Sequence, residues 1–352
     1  MGFEANVRKV VPYVPGEQPN RTNMIKLNTN ECPYPPAPEV AKALHSLEAG
    51  DMRLYPDPDA DCLLEALSKT YHMPKNQIFV GVGSDDVLAM AFLTFFNSEK
   101  PILFPDVTYS FYDVWADLFR IPYKTCPLKP DFTISVEDYI KPNGGIIFPN
   151  PNAPTGVLLG LEAVEKIVAA NPDVVVIVDE AYVDFGGVSA LPLVDKYENL
   201  LVVQTFSKSR AMAGMRIGYA FGSAKLIGYL QDAKFSFNSY TMNRPSLAAG
   251  VACLENDTYF KETVGKIIQT REWTKEQLKK LGFSFPDSYA NFIFATHASV
   301  PAAEIYEALR AQDIFVRYFK KPGIDNYLRI TIGTPEEMET FISFLTDYLS
   351  NK

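Results

Sequence analysis

Histidine is scarce in this chain of 352 residues. Only His45, His72 and His297 occur, none in an HExxH-like pair, so a histidine-built metal centre has no support. Cysteine is nearly as rare: Cys32, Cys62, Cys126 and Cys253 form no CxxC pair, which argues against a disulfide scaffold or a zinc ribbon and for reduced thiols. Basic residues are outnumbered, 33 Lys and Arg against 42 Asp and Glu, and the net charge of −9 is the wrong sign for a nucleic-acid partner. No apolar run approaches the ~20 residues that cross a bilayer. The opening MGFEANVRKV has neither the apolar stretch of a secretion signal nor the hydroxyl residue of a myristoylation pattern. We therefore expect a cytoplasmic protein with no membrane or nucleic-acid partner and no metal.

What is present reads as an α/β protein. Apolar residues make up 47% and charged residues 21%, ordinary globular usage, and at ~150 residues per domain the length suggests two domains. Residues 1–40 are rich in Pro, Asn and Tyr and oppose long helices, so they are expected to form an extended arm. Over residues 41–250, helical stretches such as CLLEALSKTY, DDVLAMAFLTFF and LEAVEKIVAAN alternate with apolar runs such as QIFVGVG, GIIFPNPN, VVVIVDEAY, NLLVVQTF and RIGYAFG. Continuously apolar strands imply burial on both faces. That predicts a three-layer α/β/α domain around a mostly parallel sheet. Over residues 251–352 the texture changes to a long charged helix, short strands (ANFIFAT, IFVRYF, YLRITIG) and two further helices, a smaller α+β domain.

Four polar clusters begin where an apolar run ends: Gly81–Asp86, Asn150–Gly156, Asp179–Tyr182 and Thr205–Lys208. In such sheets chemistry gathers at the carboxyl ends of the strands, so all four are expected on one edge. GVGSDD joins a strand to a helix, where free N–H groups and the helix dipole favour an anion, although Ser84 or Asp85 as a simple helix cap explains the segment equally. The third glycine of a dinucleotide fingerprint and the GxxxxGK[ST] of a P-loop are both missing, which weakens NAD and ATP readings. Lys208 lies between hydroxyl residues at a strand end, eight residues before Arg216. Apolar surroundings and a second cation favour the neutral amine that attacks an aldehyde, whereas a solvated lysine is the plain alternative. Asp179 is either a helix cap or the partner of a buried cation.

The order and spacing of LNTNE, GVGSDD, Tyr109, NPNAPTG, VDEAY, TFSK and MRIG resemble the fold type I pyridoxal-phosphate aminotransferases over nearly the whole chain. That resemblance implies pyridoxal 5′-phosphate as cofactor, Lys208 as its Schiff-base lysine, and Asp179 as partner of the pyridine nitrogen. It further implies Tyr182 on the phenolic oxygen, Tyr109 stacked on the ring, and Ser84, Asp85, Thr205, Ser207 and Arg216 around the phosphate. LNTNECPYPP, LYPDPDADCLLEAL, VRYF and YLRITIG look like the histidinol-phosphate aminotransferase branch. The branch implies Tyr13, Asn30, Arg317 and Arg329 on the substrate. It also implies Tyr55 reaching across a homodimer interface to the neighbouring cofactor, and histidinol phosphate, imidazole acetol phosphate, glutamate and 2-oxoglutarate as small-molecule partners in histidine biosynthesis. Two guanidinium forks suit a phosphate dianion.

One position departs from the family pattern. Ala153 stands where an asparagine precedes Pro-Thr-Gly, and Asn152 or Asn150 is the expected replacement. The nearest rival reading is a threonine-phosphate decarboxylase on the same fold. An aromatic amino-acid aminotransferase comes third and leaves Arg317 unexplained, and a non-catalytic cofactor-binding module comes last.

Overall fold

The computed structural model describes residues 2–21 and 23–352. The proline-rich opening makes one short turn, Phe3–Asn6, and then strand β1 (Ile25–Leu27). Helix α1 (Pro38–His45) begins on a proline, whose missing N–H is no loss at a first helical position. Seven strands follow: β2 (Ile78–Gly81), β3 (Ile102–Pro105), β4 (Tyr123–Cys126), β5 (Ile146–Pro149), β6 (Val176–Asp179), β7 (Leu200–Thr205) and β8 (Gly218–Gly222). They alternate with α2 (Asp61–Tyr71), α3 (Ser84–Phe95), α4 (Tyr112–Phe119) and α5 (Leu161–Ala169), and are followed by α6 (Ala224–Phe237) and α7 (Arg244–Leu254).

These strands form one sheet in the order β2-β8-β7-β6-β5-β3-β4. Every neighbouring pair is parallel except those of β8, which runs antiparallel to both β2 and β7. Apart from the edge strand β4, each strand is buried at every position. Alternate residues feed opposite cores, as the period of two requires. Val176, Val178, Leu200 and Val202 pack with Leu63 and Leu67 of α2 and Ile167 of α5, whereas Ile177, Leu201 and Val203 pack with Val87 of α3, Trp115 of α4 and Leu230 of α6. The expected three layers are therefore present.

Strands β9 (Phe283–Ser284), β10 (Phe292–His297), β11 (Ile314–Tyr318) and β12 (Leu328–Thr331) join β1 in a second sheet, ordered β1-β11-β12-β10-β9. Strand β1 pairs in parallel with β11, and the remaining pairs are antiparallel. Helices α8 (Asp257–Lys280), α9 (Ala302–Arg310) and α10 (Pro335–Ser350) pack on it through Ile267, Leu309 and Phe341. A reciprocal cap starts α10: the Thr334 hydroxyl accepts from the Glu337 N–H and the Glu337 carboxylate from the Thr334 N–H.

The second core also takes in Tyr182 and Phe185 from the loop after β6. The buried Arg271 guanidinium donates to the carbonyls of Phe185 (2.8 Å) and Ala290 (2.9 Å), tying the two sheets together behind that loop. Among the described residues, no helix is long and apolar enough to cross a membrane, and no cluster of three or more His, Cys, Asp or Glu side chains is placed to hold a metal.

Candidate active site

Register brings the strand ends together. Asp179 lies opposite Val203 across the β6–β7 pair and Pro149 across β5–β6, while Gly218 opens β8 beside both Thr205 and Gly81. Because β8 runs backwards, its first residues, with Arg216 just before them, belong to the same edge as the carboxyl ends of the parallel strands. A cavity of about 110 Å³ at that edge is lined by Ser84, Asp85, Tyr109, Asp179, Tyr182, Thr205, Ser207, Lys208 and Arg216, with Pro149, Ala153 and Ala181. It opens into an outer cavity of about 460 Å³ that shares Asp85, Tyr109, Ala153, Tyr182, Lys208 and Arg216 and adds Tyr13, Asn30, Arg317 and Arg329. A cavity of about 500 Å³ elsewhere, between Trp273 and Glu336, is lined by none of the strand-end residues.

Neither Ser84 nor Asp85 caps α3. The cap position is Gly83, with φ of 87°, and no side chain closes the helix start. The Asp86 carboxylate turns back to the Val82 N–H at 2.9 Å, so the first N–H groups of α3 are left without an internal partner. Glycine is required there twice over: a side-chain carbon on Gly83 would meet the Arg216 guanidinium, and one on Gly218 would fall on the Gly83 and Ser84 backbone. Arg216 donates to the Asp85 carboxylate at 3.2 Å and, more weakly, to Ser207 Oγ at 3.4 Å. Thr205 Oγ1 donates to Ser207 Oγ at 3.0 Å. This end of the cavity is a donor-rich cradle of the kind a phosphate needs.

At the other end lies Asp179, 5% exposed, whose carboxylate accepts from Tyr112 Oη at 2.8 Å and from the Ala181 N–H at 3.2 Å. Burial lifts its pKa to about 6, against the pull of those two bonds. A buried carboxylate under that penalty favours a cationic partner. Tyr109 donates to Asp85 Oδ1 at 2.8 Å, and burial followed by that carboxylate raises its own pKa. Lys208 Nζ sits 5.7 Å from the centre of the Tyr182 ring and donates to the Thr29 carbonyl at 3.1 Å. A phosphate cradle, a buried carboxylate and a lysine amine around one cavity fit an aromatic aldehyde phosphate with a basic ring nitrogen.

In the outer cavity Arg317 and Arg329 lie directly opposite each other on β11 and β12. Arg329 donates to the Asn28 carbonyl at 3.0 Å, while its Nε is buried and without a partner among the described residues. Burial, helped by the neighbouring Arg317 charge and opposed by Tyr182, pulls its pKa below the ordinary value. Arg317 donates weakly, at 3.4 Å, to the carbonyls of Val14 and Pro15. Neither arginine forms an ion pair with a carboxylate among the described residues. Tyr13 stacks on Phe111 with ring centres 4.1 Å apart, laying the arm along the cavity rim. Asn30 donates from Nδ2 to Tyr182 Oη at 2.9 Å.

One expected residue, Asn152, is not brought to the cavity, and Tyr55, expected at a partner's cofactor, lies outside it. Asn152 lines neither compartment: its Nδ2 donates to the Val107 carbonyl (3.0 Å) and Thr155 Oγ1 (2.9 Å), and its Oδ1 accepts from Thr108. Asn150 is bonded both ways to the Leu159 backbone, so neither amide replaces the one missing at Ala153. Tyr55 is 77% exposed, stacked on Tyr240 with centres 4.5 Å apart, away from this chain's cavity. Sequence reasoning passed over Tyr112, which is hidden in the aromatic run YSFYDVW; its spacing of three from Tyr109 was the available signal.

Comparison with known proteins agrees with this geometry. The family model for aminotransferase class I and II matches residues 22–345. The histidinol-phosphate aminotransferase of Lactococcus lactis subsp. cremoris (strain MG1363) is 51% identical over 352 residues, covering 100% of this chain and 99% of that protein. Histidinol-phosphate aminotransferase 1 of Hydrogenovibrio crunogenus is 53% identical over 346 residues, 98% of this chain and 97% of that one. In structure, the chain superposes on the histidinol-phosphate aminotransferase of Sinorhizobium meliloti in complex with pyridoxal-5′-phosphate with a TM-score of 0.84, at 24% identity over 93% of this chain and 91% of that chain. The chain belongs to the class I and II aminotransferases, and within them to the histidinol-phosphate aminotransferases.

Proposed function

We infer that this chain transfers an amino group between histidinol phosphate and 2-oxoglutarate, giving imidazole acetol phosphate and glutamate, with pyridoxal phosphate as its cofactor. The observation that carries the substrate reading is the pair Arg317 and Arg329, opposed on adjacent strands in a cavity that also contains Lys208 and free of any carboxylate partner among the described residues. Two such forks accept the phosphate of one substrate and a carboxylate of the other.

Pyridoxal phosphate supplies an electron sink that makes the hydrogen on the substrate's Cα acidic. The chain's own groups do the rest. Ser84, Thr205, Ser207, Arg216 and the open N–H groups of α3 anchor the cofactor phosphate, and Tyr109 covers the ring. Asp179, steadied by Tyr112, keeps a proton on the ring nitrogen, and Tyr182 donates to the phenolic oxygen. Lys208 holds the cofactor between turnovers. With the cofactor bound, the Lys208 Nζ, as a free amine, would take the proton from the substrate's Cα and serve as its carrier. Tyr13 and the two arginines hold the phosphate end of the substrate, with water kept out by the arm.

Residues 41–250 form the cofactor-holding unit in this reading, and residues 251–352 with the 1–40 arm form the unit that closes over the substrate. The functional particle is a homodimer. Support comes from the exposed apolar group Met52, Leu54, Tyr55, Phe237 and Tyr240, which would place Tyr55 against the partner's cofactor. The deciding experiment mixes cofactor-loaded protein with L-histidinol phosphate alone in a single turnover. The cofactor absorption is expected to convert to the amine form and to return on addition of 2-oxoglutarate. An unmoved spectrum, with carbon dioxide released from threonine phosphate, would reassign the reaction.

A further inference from the structure

The position before Pro-Thr-Gly carries Ala153, and Asn150 and Asn152 are both spent on backbone bonds. The only amide that reaches the hydroxyl of Tyr182 among the described residues comes from the opposite side of the cavity, from the segment after β1. We propose that Asn30 is a positioning residue that compensates for Ala153: its amide donates to Tyr182 Oη and so turns the Tyr182 proton toward the phenolic oxygen of the cofactor. The proposal rests on the cofactor reading above.

The amide is not free to turn. Thr331 Oγ1 accepts from the Asn30 N–H at 3.1 Å and donates to Asn30 Oδ1 at 2.9 Å, which leaves only the NH₂ for Tyr182 at 2.9 Å. Asn291 Nδ2 holds the Asn30 carbonyl at 3.0 Å. The backbone at Asn30 has φ of 57°, a left-handed conformation that asparagine accepts more readily than other side-chain-bearing residues. Asn30 is 1% exposed and Tyr182 8%, and the Tyr182 ring is fixed edge-on to Phe292 at 5.1 Å.

The bonds run in one direction. Thr331 donates to Asn30, Asn30 donates to Tyr182, and the Tyr182 proton, which has no protein acceptor among the described residues, faces the cavity. Each donor in such a chain polarises the next, and burial strengthens the effect. The elements divide the labour: the arm and the small sheet supply the relay, and the large sheet supplies the tyrosine. An amide absent from one loop is thereby replaced by one some 120 residues earlier in the chain.

The test reads the visible absorption of cofactor-loaded protein against pH, which reports the proton on the nitrogen joining Lys208 to the cofactor. A bond donated to the neighbouring phenolic oxygen drains the negative charge that helps to hold that proton, so the midpoint is low while the relay is intact. Asn30→Gly keeps the left-handed backbone without strain. It is expected to raise the midpoint by about half a pH unit or more and to weaken cofactor binding. In a Tyr182→Phe background the same change is expected to leave the midpoint where it was.

Thr331→Val, which keeps Asn30 in place but removes the hydroxyl that both donates to its Oδ1 and accepts from its N–H, is expected to give a smaller rise of the same sign, and it decides alone if Asn30→Gly does not fold. No rise, or a rise of equal size in both backgrounds, overturns the proposal. A band unaffected by Lys208→Ala would overturn the cofactor reading beneath it as well.

Discussion

Asp179 is a single buried carboxylate with two hydrogen-bond donors and no cation beside it, and its pKa of about 6 lies above the ordinary 3.8. A carboxyl group whose pKa is higher in the fold than in the unfolded chain stabilises only while protonated. Its contribution is complete below about pH 4, is lost as the pH rises to about 6, and is flat beyond that, a total of about 3 kcal/mol. Asp179→Asn is therefore expected to raise the melting temperature of cofactor-free protein at pH 8 by several degrees and to change it little at pH 4.5. Differential scanning calorimetry at the two pH values checks it, and the neighbouring buried Glu180 cancels in the comparison. From position alone Asp179 reads equally as a helix cap and Lys208 as a solvated lysine, so it was the family pattern around them that singled them out, and the fold places both on one cavity. The placement of Asn152 was not legible, since the direction of an amide is decided by which groups a loop leaves open, in this case the Val107 carbonyl and the Thr155 hydroxyl.

At the scale of elements, β8 determines how the phosphate cradle is built. Its antiparallel run sets Gly218 against the start of α3, where a side-chain carbon would collide with backbone rather than with a movable side chain. Gly218→Ala is expected to destabilise the protein by about 2 kcal/mol or more and to weaken pyridoxal-phosphate binding at least tenfold, read by urea unfolding and by cofactor titration. Gly222→Ala, on the same strand, would come nearest to the Leu201 side chain at 3.2 Å, with the Leu200 carbonyl at 3.4 Å in ordinary contact, and serves as the mild control. The direction of β8 could not be read from RIGYAFG, because a strand buried on both faces has the same composition whichever way it runs. The alternation of the two cores was readable for the same reason in reverse: runs such as VVVIV require cover on both sides. The edge strand β4, exposed at Tyr123, Lys124 and Thr125, carried too little apolar signal to be read at all.

For the whole molecule, the exposed Tyr55 and the apolar side chains around it set the prediction. Light scattering is expected to give twice the mass of 39.3 kDa. Tyr55→Ala is expected to leave that mass unchanged while weakening cofactor binding about tenfold, the worth of one charge-assisted hydrogen bond to a phosphate. A monomeric mass, or unchanged cofactor binding in the variant, would remove Tyr55 from the site. The change in texture near residue 250 pointed to a second unit, and a second sheet is formed by β1 with strands beyond residue 282, but the bond between the two sheets was not legible. Arg271 reads as one charge among many in α8, yet its guanidinium is spent on the carbonyls of Phe185 and Ala290.

Strand β1 belongs to a sheet whose other members lie beyond residue 282. A nascent chain that has left the ribosome as far as α7 has all seven strands of the large sheet in hand, with Asp179, Lys208 and Arg216 among them, but its first strand is still waiting for β11. Until β11 and β12 emerge, the LNTNE segment has no ladder to join and Asn30 has no Thr331 to hold it. During synthesis the cofactor cradle thus precedes the substrate cavity. An early-bound cofactor would meet a half-built site in which Lys208 and Arg216 are present and Arg317 and Arg329 are not.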